Sequence, residues 1–568
     1  MTRARLDARR VLTAAAVAAG AAAVLACLGS TADPDLPWHL AAGRRILATG
    51  AVPRADFLTW TREGAPWVDF EWAAQALFYA LDRVGGVWGL WLFKAAASLS
   101  LAGLFAGLLR LWALPAEWIA LAAASFAAGA LTSSGLRPEL LTMLFFMLQL
   151  QLLERRRLGR LPWGDGALLA FHVGLYAAWA NLHAGFVTGL MLCACYGAGE
   201  LAEPPAHRRR SSALLFAAAG LAATLVNPYG RGVYTVLREH AQHYDLLRRL
   251  IVEWSEPGFS NGFLRGYWLL LIFSFAGMIA AAAQGAAMPA AHLAAVLVFA
   301  PFASRAMRTT PYAALVLFPV GLLAWSRVKP PATRPLLRET LLASVCALVV
   351  VSGAVASDAR GWPAAPVPVA LQGPAGACAF LRAEKPALGR LRLFNPYNWG
   401  GFLDYALYPD YKPFMDGRYL FAGLLDETDE AGHSPDRWRR FMDEEGIELA
   451  LVVNDGLMVR SPDDMAGRPF LASAMPRVDW ALVYFDSQAA VLVRRKSAPF
   501  MWLAQHEYRW LRPHDLRQLG LYVMTGTAPL AEVDAEIDRY EREAGDRRQV
   551  LALRQWRENL VKGLTAAR

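Results

Sequence analysis

The chain has 568 residues, 56% of them apolar, which is too apolar for one soluble domain and long enough for a membrane bundle with a further domain. Its net charge of +9 does not indicate nucleic acid, because much of the arginine lies in short segments between apolar stretches, where membrane topology accounts for it. No Cys or His cluster has zinc spacing, and neither a Walker-type phosphate loop nor a nucleophile elbow occurs, which argues against nucleotide hydrolysis as the driving chemistry.

Apolar stretches near the length a helix needs to cross about 30 Å of hydrocarbon recur as far as residue 356 and then stop. They predict about eleven spans, at 11–31, 87–109, 116–133, 138–153, 163–181, 186–202, 212–226, 267–284, 287–303, 311–325 and 339–356. The first, which contains Leu25-Ala26-Cys27, reads as a retained signal anchor rather than a cleaved leader. With residues 1–10 cytoplasmic, the alternate loops carry Arg110, then Arg155, Arg156, Arg157 and Arg160, then Arg208 to Arg210, then Arg327, Lys329, Arg334 and Arg338, a positive-inside pattern. Segments 31–86, 133–138, 181–186, 227–266, 304–310 and everything after 356 then face outward, and function is to be sought there. Cys378 alone falls in the part after 356, which therefore has no internal disulfide.

The first outer loop, 32–86, is far longer than ordinary helix connections. It opens on Asp33-Pro34-Asp35, which reads either as a general base with a partner carboxylate or as a solvated turn. The same pair could hold a divalent cation, though two carboxylates without further oxygen ligands are a weak metal signal. Leu36, His39, Leu40, Ile46 and Leu47 share one side of a helix suited to the membrane interface, with Arg44 and Arg45 away from its apolar centre. Asp69 to Arg83 reads as a second helix with Asp69 as its cap and Glu71, Gln75 and Asp82 along one stripe; Glu71 is the better functional candidate there. At the outer ends of spans, Arg137, His183, Arg305 and Arg308 place cationic or polar groups at membrane depth, where ionisable residues are costly and usually tied to a site. An arginine there can grip a phosphate bidentately or snorkel towards headgroups. Lys94 reads as snorkelling, and His172 as a hydrogen-bonded helix contact.

From 357 the composition turns to a soluble α/β pattern, with strands predicted at Leu391–Phe394, Phe414–Met415, Leu449–Val453, Ala481–Phe485 and Ala489–Val493, the last two as a hairpin. Ser434-Pro435 has the cap-then-proline order of a helix start. The fold class expected is thus a polytopic α-helical membrane bundle, 1–356, followed by an extracytoplasmic α/β domain, 357–500, and a tail of charged helices, 501–568.

Asp33-Pro34-Asp35-Leu36-Pro37-Trp38-His39-Leu40, followed by Gly43-Arg44 and Ile46-Leu47, resembles the first-loop motif of a bacterial membrane family assigned to the GT-C glycosyltransferase superfamily. Glu71-Trp72, Arg137-Pro138, the run Trp179 to Phe186, Asn227-Pro228-Tyr229-Gly230, Glu253-Trp254, the run Asn395 to Phe402 and Asp416-Gly417-Arg418 extend the resemblance, in order, to about residue 418. The chain departs from the family at Pro37, where Trp is usual, and at Asp69-Phe70, where Asn-His is usual. The resemblance implies a multi-pass protein of the bacterial inner membrane and cell envelope, with a polyprenyl-phosphate-linked sugar and a lipid, glycan or protein acceptor as partners. It implies a first-loop acid, Asp33 or Asp35, as base, with Glu71 a possible second carboxylate. Arg137, Arg305 or His183 would bind the donor phosphate, with His39 and Arg308 beside them. Asn398-Trp399-Gly400-Gly401 is similar in position to a tryptophan-rich acceptor motif of oligosaccharyltransferases, which places Trp399, Asp416 and Arg418 among substrate-binding candidates; the plain alternative is a pair of turns. Two other functions fit the same layout: a transporter or flippase for lipid-linked sugars, and a non-catalytic scaffold of envelope assembly.

Overall fold

The computed structural model describes residues 30–127, 135–203, 212–258, 265–333, 336–358, 366–461, 464–544 and 546–566, with Ala14, Ala18 and Ala21 upstream. The span at 11–31, with Cys27, and the far end of 116–133 thus lie almost wholly outside the described residues. The chain forms two compact units: Met1–Arg54 with Val68–Pro368, and Ala55–Trp67 with Val369–Arg568.

The first unit is helical: α1 (Leu36–Thr49), α2 (Trp72–Leu111), α3 (Ala116–Phe126), α4 (Glu139–Arg157), α5 (Asp165–Leu182), α6 (Phe186–Ala202), α7 (Ser212–Ala223), α8 (Val233–Gln242), α9 (Tyr244–Leu250), α10 (Arg265–Ala283), α11 (Ala290–Ala303), α12 (Phe318–Arg327) and α13 (Leu337–Asp358). Among the described residues, Trp72–Leu111, Gly266–Ala283 and Met307–Arg327 are long and apolar enough to cross a membrane, and α3, α6, α7 and α11 are shorter apolar helices. Trp88, Leu92, Ile279 and Leu297 stand exposed on helices that are apolar almost all round, as lipid-facing positions would be. The predicted loop helix and the predicted span after it form one run, α2, bent at Gly86, whose φ of 54° is open to glycine and strained for other residues. Asp69 does not cap α2: its carboxylate accepts from the Gln75 amide at 2.6 Å, and Glu71 is the residue before the first turn. Lys94 does not snorkel either, since it is buried in α2 and donates to the Ser30 carbonyl. His172 is a helix contact, with Nδ1 2.8 Å from the Leu168 carbonyl and its ring stacked on Phe216.

In the second unit, strands β1 (Leu393–Phe394), β2 (Leu449–Val453), β5 (Trp480–Phe485) and β6 (Ala489–Arg494) form a sheet of order β1-β2-β6-β5, with β3 (Met458–Ser461) and β4 (Asp464–Pro469) as a separate hairpin. Period-two alternation divides the sheet's side chains between two cores. Ala450, Val452, Leu482, Ala490 and Leu492 face one; Leu449, Leu451, Ala481, Val483 and Val491 face the other. Both faces are covered, the second by α14 (Ala375–Ala383) and α16 (Tyr397–Leu407), with the short α15 (Lys385–Leu388) between them in sequence. Helices α17 (Ala422–Gly432) and α18 (Pro435–Glu444) pack on the first face; the Ser434 hydroxyl caps α18 by accepting from the Arg437 N–H at 3.2 Å. After α19 (Phe470–Ala474) and α20 (Phe500–His506) come α21 (Leu516–Met524), α22 (Leu530–Ala544) and α23 (Arg547–Ala566).

Two expectations change here. The last helices do not form a separate tail: Leu519, Val533, Ile537, Tyr540 and Val550 complete the first core, and Tyr540 stacks on Phe485 of β5. Phe414–Met415 is not a strand of the sheet, because the Asn395 side chain accepts from the Phe414 N–H at 2.7 Å and the Phe414 carbonyl accepts from Thr61. Thr61 lies in the piece of the first loop, Ala55–Trp67, that belongs to this unit, where the Trp60 indole donates to the Leu393 carbonyl at 2.9 Å.

Candidate active site

The N-terminal end of α4, the start of α1 and the turns flanking α9 and preceding α12 converge on Arg137. Its Nε donates to Asp33 Oδ2 at 2.6 Å, its Nη1 donates to Glu253 Oε2 at 2.5 Å, and its Nη2 lies 3.3 Å from Asp35 Oδ2. Arg308 adds a second cation, 3.6 Å from Glu253 Oε1 and stacked over the Trp254 ring at 4.6 Å. The Asp33-Pro34-Asp35 turn is held from within, since the Asp35 N–H donates to Asp33 Oδ1 at 2.9 Å. Gly135 makes room for it: a Cβ there would stand 2.5 Å from Asp33 and from the Ala32 carbonyl.

The two aspartates differ. Asp33 is buried and has one oxygen on Arg137 and the other on backbone; burial raises its pKa against the pull of Arg137. Asp35 is half-buried and held more loosely; burial, opposed by Arg137 and reinforced by Asp33, pushes its pKa up to about 7. Glu253 is the opposite case: Arg308 and Arg137 outweigh burial and keep its carboxyl below the usual range.

Beside this cluster lies Glu71, with Oε1 3.6 Å from His183 Nε2. Burial, with Asp69 and Asp35, holds the Glu71 carboxyl well above its ordinary pKa. Burial and the nearby cations lower His183 to about 3, so its imidazole is neutral. Its tautomer follows from the Gly185 N–H, which donates to Nδ1 at 3.0 Å and leaves the proton on Nε2, towards Glu71. Thr142, which accepts from the Trp179 indole at 2.8 Å, lies 2.9 Å from the same Nδ1. His39 is buried and neutral, with its ring 3.8 Å from that of Trp38.

The structure thus gathers Asp33, Asp35, Arg137 and Arg308, with Glu71 and His183 as an adjoining pair. Arg305 does not join them: its side chain is exposed, and its carbonyl accepts from the Tyr244 hydroxyl at 2.8 Å. Sequence reasoning missed Glu253 and Gly135. The signal for Glu253 was Glu253-Trp254 in an outward loop, matched as a motif but assigned no role; nothing local marks Gly135.

The remaining candidates belong to the second unit. Asp416 and Arg418 are buried and form a two-pronged pair, Nε to Oδ1 at 2.9 Å and Nη2 to Oδ2 at 2.6 Å, while Nη1 lies 2.8 Å from Asp56. The Arg418 guanidinium also sits 4.5 Å over the Trp67 ring. The structure thus places Arg418 and Asp416 in a buried ion cluster of the second unit. Trp399 is partly buried and packs on the second core from α16, so it lies in a helix and not in a turn. The glycine beside it serves packing: a Cβ on Gly400 would meet the Met415 carbonyl at 2.0 Å.

A divalent cation does not fit the first-loop site as arranged. Arg137 sits among the carboxylates where a cation would go, and among the described residues no group of three or more His, Cys, Asp or Glu is placed to hold a metal.

No family model matches the sequence, and no curated protein matches it. Among solved structures, the chain is similar to the archaeal oligosaccharyltransferase AglB from Archaeoglobus fulgidus in complex with an inhibitory peptide and a dolichol-phosphate. The TM-score is 0.54 at 11% identity, over 79% of this chain and 70% of that one. It is also similar, at a TM-score of 0.43 and 14% identity, to ArnT from Cupriavidus metallidurans bound to undecaprenyl phosphate, over 85% of this chain and 97% of that one. The first likeness shows the fold alone: over 79% of its length the chain is folded like that oligosaccharyltransferase.

Proposed function

We propose that the protein is a membrane-integral glycosyltransferase that moves a sugar from a polyprenyl-phosphate donor to an acceptor hydroxyl on the extracytoplasmic side. The bundle is read with about eleven spans and a cytoplasmic N-terminus, and the second unit as an extracytoplasmic domain that selects the acceptor. The observation that carries this reading is the meeting of a near-neutral carboxyl, Asp35, with two arginines, Arg137 and Arg308, in one cluster.

Asp35 is the base. Its pKa of about 7 suits proton removal at neutral pH, and its grip on Arg137 is the looser of the two aspartates. Asp33, tied on both oxygens, is a positioning residue that fixes the turn and Arg137. The acceptor O–H gives its proton to Asp35 as its oxygen bonds to the anomeric carbon. The carbon–oxygen bond to phosphate breaks, and the polyprenyl phosphate leaves with that electron pair, stabilised by Arg137 and Arg308. A single displacement inverts the sugar carbon. Glu71, its carboxyl held above the ordinary range by burial, turns Oε1 towards the Nε2 proton of His183, which orients it beside the base.

The test compares lipid-linked sugars and envelope glycans by mass spectrometry in cells with the intact protein, a deletion, or Asp33→Asn/Asp35→Asn. Loss of one glycan with accumulation of its polyprenyl-phosphate donor, in both deletion and variant, is the expected result. A variant that behaves like wild type while the deletion does not removes the base and leaves transport or scaffolding.

A further inference from the structure

Glu253 spans two guanidinium groups with its two oxygens: Oε2 takes Nη1 of Arg137 at 2.5 Å and Oε1 faces Nη1 of Arg308 at 3.6 Å. Two oxygens of a phosphate bridging two arginines make the same pattern of contacts. Asp33, Asp35 and Glu253 already set three carboxylates against these two cations. A phosphate arriving with all three in place would meet excess negative charge in a partly desolvated site, so one carboxylate has to withdraw.

The three are not equally anchored. Asp33 is buried and accepts from the Asp35 N–H. Asp35 lies in the same turn. Glu253 has no backbone donor among the described residues and is about one-third exposed. It sits on a single turn, Val252–Trp254, beside the strongly exposed Val252, and a 2.9 Å bond from the Met307 N–H to the Ser255 carbonyl follows it.

Building on the donor reading above, we infer that Glu253 is a resident counter-anion occupying the phosphate subsite between Arg137 and Arg308, and that a lipid-linked phosphate displaces it and releases the 251–255 turn. Glu253 thereby keeps two desolvated cations paired in the empty protein, and couples arrival of the donor to a change in an outward segment. Trp254 stays under Arg308 only while the turn is docked, so the same displacement frees that guanidinium to face the phosphate.

The experiment uses full-length protein in nanodiscs, with undecaprenyl phosphate as probe, inorganic phosphate as control, and the variants Glu253→Gln and Glu253→Asp. Affinity is measured together with amide exchange over 244–258. In wild type, undecaprenyl phosphate is expected to speed exchange at 251–255. In Glu253→Gln, exchange there is already fast without ligand, and affinity rises about tenfold, the scale of one charge-assisted contact no longer in competition. Glu253→Asp, too short to bridge both arginines, falls between them. Tighter binding of Glu253→Gln without any exchange response at 251–255 is general electrostatics and overturns the displacement, as does unchanged affinity. An equal response to inorganic phosphate overturns the lipid assignment. No binding of undecaprenyl phosphate by any form overturns the donor reading, and this inference with it.

Discussion

Two arginines, one in each unit, are each surrounded by carboxylates, and they differ in what they can do. Arg418 is 1% exposed by side chain and is gripped by Asp416 and Asp56 with an aromatic ring beneath it. Arg137 is 22% exposed and is shared among three carboxylates at 2.5, 2.6 and 3.3 Å, drawn from separate segments. A sealed pair has paid its desolvation and gains nothing from a ligand; an open cluster with unequal contacts can exchange one partner for another. The same residue types therefore hold a domain together in one place and offer chemistry in the other.

The largest effect should come from breaking the sealed pair. Arg418→Met leaves Asp416 and Asp56 buried without their cation, at a cost of about 3–5 kcal/mol to the second unit. Chemical denaturation followed by amide exchange at β2 and β6 should show it, and Arg137→Met should leave those strands unchanged while abolishing binding of undecaprenyl phosphate. Next in size, Asp35→Asn should lower transfer by about 10²–10⁴-fold with donor affinity little changed. The pH profile sharpens this. A base must be unprotonated, so kcat/KM in wild type should climb as pH rises to about 7 and then level. Asp33→Asn should move that inflection down, because the Asp33 charge helps to raise Asp35. His183, neutral throughout, should add no limb of its own. Gly135→Ala is expected to cost about tenfold in turnover by pushing Asp33 aside; melting behaviour like wild type would separate this from misfolding.

What the sequence disclosed follows from which interactions are local. Helix positions and the β5–β6 hairpin were legible because 3.6- and 2-residue periodicities are written into consecutive residues. Asp33, Asp35 and Arg137 were legible as costly charges at the ends of apolar runs. The allotment of Ala55–Trp67 to the second unit was not, since it depends on pairings more than 300 residues apart in sequence, such as Trp60 with Leu393 and Thr61 with Phe414. For the same reason the burial of Arg418 and its pairing with Asp56 are invisible in Asp416-Gly417-Arg418 alone. The helices of 501–568 read as a tail because their charged faces dominate the composition, while the apolar positions that complete the core are spread over separate segments.

The sealed cluster also has a proton of its own. Asp404 on α16 is fully buried, and among the described residues neither of its oxygens meets a hydrogen-bond donor. It faces Asp416, with Arg418 and Asp56 the other charges around it, so three carboxylates share one guanidinium and Asp404 keeps its proton. Burial first, then Asp416, raises it well above the ordinary carboxyl range. The unfolded chain releases that proton near pH 4, whereas the folded chain holds it, so the folded state binds more protons and stability falls as pH rises from there towards the folded pKa. The slope is at most about 1.4 kcal/mol per pH unit. Asp404→Asn keeps a donor towards Asp416 without a proton to lose, so denaturation midpoints of the second unit measured between pH 5 and 8 should flatten in the variant and match wild type at the acid end. Parallel slopes in the two proteins would mean that Asp404 is ionised in the fold and that the Arg418 cluster is sealed by something other than this shared proton.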